Sequence, residues 1–191
     1  MTSLREVKAF GGIGAILSVL VFAPGVGVFC SIIGLVLILI AVKYISDIYN
    51  EPKIFRNIII AIILFIVSIV AFFFVFFSTV VGCLLVAGQQ PSGTSGLGVI
   101  LGVVTGVAAL WACLVLGGVF IKNSYERISV LTGVDLFKTI GLLYLIGVLL
   151  LIVLIGVAVL FVAKILEAVA FFSIPEEYEK RPYSLQQFTS K

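Results

Sequence analysis

Long runs without a single charged residue dominate this chain. Positions 9–42, 57–121, 139–163 and 168–175 carry none, and the second run is broken only by the uncharged loop Gly88–Gly96. About twenty apolar residues are enough to span a bilayer core about 30 Å thick. Within hydrocarbon every backbone N–H and C=O needs an internal partner, and a helix supplies all of them. The pattern therefore predicts an all-α, polytopic transmembrane helical bundle.

Punctuation between the runs sets the elements. Helices are expected at about 4–22, 26–49, 53–87, 97–131, 135–155 and 157–174. Ala23-Pro24-Gly25 separates the first two, and Asn50-Glu51-Pro52 ends the second, with Pro52 suited to the first turn of the third. The third helix would be roughly 50 Å long, so it must tilt, kink near Gly82 or protrude. Gly133 reads as the C-cap glycine of the fourth helix and Asp135 as the N-cap of the fifth.

The last run, 136–174, admits two readings, which leaves five or six spans. Gly147 and Gly156 are its only weak breakers, favouring one long helix. Charge placement favours a hairpin. With six spans and a cytoplasmic N-terminus, all the lysines and arginines fall on the inner side or lean toward it, as the positive-inside tendency requires. Six is the expectation. Positions 1–174 form one membrane domain and 175–191 a short polar tail. Arg5 and Lys8 followed by Ala9–Ala23 resemble a secretion signal, but Pro24 follows directly and no small-x-small cleavage site precedes it. The segment is read as a retained transmembrane helix.

Two internal echoes raise the idea of a duplication. Ile45-Ser46 followed by Ile54-Phe55-Arg56-Asn57-Ile58 is matched by Ile128-Ser129 followed by Leu136-Phe137-Lys138-Thr139-Ile140. Ile32-Ile33-Gly34 leading to Ala41 and Lys43 is matched by Leu154-Ile155-Gly156 leading to Ala163 and Lys164.

Composition narrows the chemistry. The chain is 62% hydrophobic and 11% charged, too few charges for the surface of a soluble domain. Its net charge of +3 is small, with the cations at helix ends, so nucleic-acid binding is not expected. Histidine is absent, which removes the commonest metal ligand and general base. Cys30, Cys83 and Cys113 lie inside apolar runs with no CxxC spacing, so neither a disulfide framework nor a zinc site is expected. No HExxH, GxSxG or phosphate-binding loop is present. No cofactor, metal or catalytic residue is assigned, and an enzyme is not expected.

Two sets of residues remain as candidates. Gly98, Gly102, Gly106, Ala109, Cys113 and Gly117 place small side chains along the fourth helix, where two backbones can approach closely. That face would form a homo-oligomer interface or the thin wall of a pathway, or simply pack against other helices of this chain. Lys164 and Glu167, at i,i+3 on one helix face, form the one candidate intramembrane ion pair. The plainer expectation is that both lie near headgroups and anchor the helix.

Several segments resemble one archaeal family. They are Leu4–Gly14, Ile32-Ile-Gly34 with Ala41–Asp47, Ile54–Asn57, Gly133–Lys138, Leu154-Ile-Gly156 and Ala168–Pro175. The family is that catalogued as domain of unknown function 996, made of multi-spanning membrane proteins. The resemblance implies a cell-membrane, multi-pass location and supplies no activity or functional residue. The expected role is a structural or accessory component, in contact with membrane lipids and packing with itself or a larger membrane complex. The alternative is a small-solute, ion or lipid transporter or channel.

Overall fold

The computed structural model describes residues 4–22, 26–86 and 93–175. Six helices follow in chain order: α1 (Leu4–Val19), α2 (Gly27–Ile48), α3 (Pro52–Val86), α4 (Gly93–Thr132), α5 (Leu136–Leu149) and α6 (Ile155–Phe172). Short 3-10 turns, Leu20–Phe22 and Leu150–Val153, extend α1 and α5. No strand occurs among the described residues. Gly27–Ile48, Pro52–Gly82, Ile100–Thr132 and Ile155–Phe172 are long and apolar enough to cross a membrane, while α5 is a shorter apolar helix.

Each helix packs on its neighbours in the chain, and α6 returns to α1, so the six close a ring. The α2–α3 contact is the slightest of the six contacts around it. Successive helices run in opposite directions, which brings every charged residue among the described ones, apart from Lys164 and Glu167 within α6, to one end of the bundle. The start of α1, the ends of α2, α4 and α6, and the starts of α3 and α5 all lie there. Arg127 of α4 reaches Glu51 in the α2–α3 turn at 3.5 Å, an exposed pair worth little by itself.

Close backbone approach holds the ring together. Lipid tails are as apolar as leucine, so membrane helices associate through packing and hydrogen bonds. A Cβ on Gly14 would stand 2.8 Å from the Gly34 carbonyl, and one on Gly34 would stand 2.5 Å from the Gly14 carbonyl. The rings of Phe171 and Phe172 occupy the space over Gly11 and Gly12 and join α6 to α1. The Gly11-Gly12-x-Gly14 stretch suggests a broken helix in the sequence. It is instead an unbroken part of α1, because these glycines make room for neighbours.

The last apolar run is a hairpin. Its turn falls on Leu154, a left-handed residue at φ 62°, rather than on either glycine. Gly147 and Gly156 face each other across the hairpin, where a Cβ on Gly156 would overlap the Gly147 carbonyl. The same device joins α1 to α2, so Gly34 and Gly156, matched in the second echo, do the same packing work. The first echo sits on a different helix pair. Asn50 (φ 53°) and Gly133 (φ 72°) are the left-handed residues that close α2–α3 and α4–α5. A single duplication would reproduce only one of these two correspondences.

One local expectation holds and two are adjusted. Gly133 caps α4 through its N–H to the Ser129 carbonyl at 2.9 Å. Asp135 occupies the N-cap position of α5, but its side chain makes no capping hydrogen bond; its backbone carbonyl accepts from Lys138 and Thr139. α4 begins at Gly93, so the end of the expected loop is helical. The Pro24-Gly25 break and the tail from 176 onward lie outside the described residues.

α3 and α4 are much longer than the rest. Their 35 and 40 residues make about 52 and 60 Å, whereas α1, α2, α5 and α6 range from about 21 to 33 Å. α3 runs through Gly82 without interruption. The ring encloses only the part of this pair near the charged end. From 69 to 116 no described residue is buried, and Phe74, Leu84 and Leu101 are largely exposed. Hydroxyls on these helices turn back on their own turns, as Ser68 to the Leu64 carbonyl and Thr105 to that of Leu101, both at 2.8 Å. Ser124 instead reaches from α4 to the Ile54 carbonyl of α3 at 3.1 Å.

Matched glycine substitutions check the packing account. Gly34→Ala should cost about 1–3 kcal/mol by crowding α1. Gly102→Ala, with nothing within 4 Å of the added carbon, should be neutral or stabilise by up to about 1 kcal/mol. Unfolding by sodium dodecyl sulfate in mixed micelles reads both. Equal shifts in the same direction would refute the account.

Candidate functional site

Glu167 is the most consequential side chain in the ring. It lies on α6, five residues before the helix ends, and is 1% exposed. A buried carboxylate costs several kcal/mol unless donors meet it. Here three do. The Tyr125 hydroxyl from α4 donates to Oε1, and the Tyr144 hydroxyl from α5 donates to Oε2 at 2.7 Å. Lys164 Nζ, one turn earlier on α6, donates to the same Oε2 at 3.0 Å.

Aromatic stacking fixes the donors. Tyr125 lies between Phe137 and Tyr144, with centroids 5.9 Å away on each side and nearly parallel rings. Phe137 meets Phe171 edge to face at 5.2 Å, and Phe171 in turn fills the space over Gly11. Lys164 Nζ sits 5.4 Å from the centre of the Tyr144 ring, where the ring face attracts its charge. The carboxylate, two phenols and the ammonium thus form one neutral cluster on three helices.

The cluster borders a cavity of about 300 Å³ at the centre of the ring. Ser18 of α1 and Ser31, Ile32, Leu35, Ile38 and Leu39 of α2 form one side. Ile58, Ile62 and Phe65 of α3, with Ile121 of α4, form the other. Ile32 and Leu35 line the cavity while remaining 56% and 40% exposed, so the cavity is open on the α2 side. Tyr125, Tyr144, Lys164 and Glu167 all line the space, and Lys164, at 26% side-chain exposure, is the most open of them.

The sequence candidates meet different fates. Lys164 and Glu167 do pair, and Glu167 is enclosed by the bundle instead of standing on its surface. The small-residue face of α4 is divided. Gly106 packs on Val75 and Gly117 on Phe65, both on α3 of the same chain. Gly102 faces open space, Ala109 is exposed and Cys113 is half-buried. The surroundings of Gly98 lie outside the described side chains. No group of three or more metal-binding side chains occurs among the described residues.

Sequence reasoning did not single out Tyr125 or Tyr144. For Tyr144 the available signal was chemical, since a phenol in an apolar run needs a partner for its hydroxyl, whereas Tyr125 lies among the charged residues Lys122, Glu126 and Arg127 and carried no such signal. Neither lies near Glu167 in the chain, at separations of 42 and 23 residues.

The fold and the interior cluster define a helical, multi-pass membrane protein with a charged group held in its core. The family model described as "Protein of unknown function (DUF996)" matches residues 30–165, and the chain belongs to that family. A protein of Methanocaldococcus jannaschii named "Uncharacterized protein MJ1644" is 41% identical over 174 residues, covering 91% of this chain and 94% of that relative. No solved structure matches.

The cluster is testable by a double-mutant cycle. Tyr125→Phe and Tyr144→Phe should each cost about 1.5–3 kcal/mol, the range for a hydrogen bond to a charged group. In a Glu167→Gln background the same changes should cost much less, since the charged acceptor is gone. Equal costs in both backgrounds would mean the hydroxyls do not act through Glu167.

Proposed function

We propose that this protein is a membrane-embedded binding unit of the carrier or channel class. It draws a small amphipathic molecule sideways from the bilayer into the centre of the helix ring. The observation that carries the reading is the cavity, with apolar walls from several helices, an ionic cluster at one side and an opening toward α2. Ligand pockets are mostly apolar with a few placed polar groups, and 300 Å³ lies at the lower end of their usual size. A charged group in a membrane interior is expensive, which makes it a functional candidate.

The α2–α3 seam favours entry from the side. These helices are tied by a short turn at the charged end and touch least of all neighbours around the ring. The charged end is assigned to the cytoplasmic face, because every described lysine and arginine except Lys164 lies there. Lipid tails would cover the exposed apolar surface.

A second reading, an accessory component that assembles with itself or a larger complex, draws on the α3–α4 pair. Its outer half is apolar, extends beyond the ring and leaves Gly102 uncovered.

Native mass spectrometry on protein extracted gently from its own membranes separates the two. A small molecule retained by the unmodified protein and lost in Leu35→Trp, which fills the cavity, is the expected result. A stoichiometric protein partner with no small molecule would favour assembly instead. For orientation, an impermeant maleimide should label Lys53→Cys only after the cells are opened. Labelling of intact cells would reverse the assignment.

A further inference from the structure

The cluster also restricts what the cavity can accept, if the ring is the binding unit proposed above. Both oxygens of Glu167 already accept hydrogen bonds, and both tyrosine hydroxyls spend their protons on it. Lys164 is different. An ammonium carries three N–H donors, and one is directed to Glu167. Its side chain is partly open and lines the cavity, so its other donors, beside the Ser31 hydroxyl, are the polar resource offered to a ligand.

Charge balance decides the kind of acceptor. Lys164 and Glu167 cancel, and the surrounding cavity wall is apolar apart from Ser18, Ser31 and the phenols. Ser18 directs its hydroxyl to the Ala15 carbonyl at 2.8 Å. A ligand bringing a net charge of either sign would leave that charge without a counterion in a low-dielectric space. An uncharged oxygen acceptor meets the ammonium without that cost.

We propose that the cavity binds an uncharged amphipath whose head presents a carbonyl or hydroxyl oxygen to Lys164 Nζ. Its apolar tail lies along Ile58, Ile62 and Phe65 and extends toward the opening at Ile32 and Leu35. Tyr125, Tyr144 and Glu167 act as positioning residues that hold the ammonium at the cavity edge.

Photoaffinity labelling in lipid nanodiscs tests this with four alkyl diazirines of equal chain length. Their heads are an alcohol, a carboxylate, a trimethylammonium and a plain methyl. The alcohol should label cavity walls saturably and about tenfold more efficiently than the methyl probe, the worth of one good hydrogen bond. Lys164→Met should erase that preference and Lys164→Arg should retain it, while Leu35→Trp should remove cavity labelling by every probe. The comparison of heads on the unmodified protein decides the matter even where Lys164→Met does not fold. Equal labelling by alcohol and methyl probes, or preference for either charged head, would overturn the proposed chemistry and leave the binding reading standing. Absence of saturable cavity labelling by any probe would overturn both.

Discussion

Glu167 can stay inside this bundle only because three donors meet it, and two of them come from other helices. That requirement connects α4, α5 and α6 at one level, with Tyr125 and Tyr144 held face to face between them. The order then spreads through packing. Tyr125 stacks on Phe137, Phe137 meets Phe171, and Phe171 lies against Gly11 of α1. One buried charge is thereby linked, through aromatic contacts, to the closure of the ring between its last and first helices.

The remaining contacts follow from lipid as solvent. Apolar side chains gain little by leaving hydrocarbon for one another, so helices are held by shape and hydrogen bonding. Gly14 with Gly34, and Gly147 with Gly156, allow backbones to meet more closely than any side chain permits. Where such contacts are sparse, between α2 and α3, the ring is least tightly joined. The central cavity opens beside that seam, which relates the binding proposal to a packing difference rather than to a separate device.

The long α3–α4 pair poses a different problem. Near the charged end it is part of the ring, while among the described residues its outer half packs within the pair and presents an apolar exterior. Gly106 against Val75 keeps the pair close in that region. A bilayer core of about 30 Å is shorter than either helix, so the pair must tilt or pass beyond the hydrocarbon.

Much of the fold was legible because membrane helices are written in uninterrupted runs. Charge-free stretches located the helices, Pro52 and Gly133 marked boundaries, and the grouping of lysines and arginines anticipated one charged end. Glycines were harder to read. Gly147 and Gly156 looked like breakers, yet the chain turns at Leu154, and the glycines serve contacts between helices. The Lys164–Glu167 pair was visible because residues three apart share a helix face. Its burial and its tyrosine partners were not, since these depend on ring closure bringing together residues far apart in the chain. Sequence alone therefore determined that this is a helical membrane protein with one candidate interior ion pair, because local hydropathy and helical spacing are short-range properties. Only tertiary structure decided that Glu167 is enclosed by Tyr125 and Tyr144 beside a cavity, because enclosure depends on how distant helices pack.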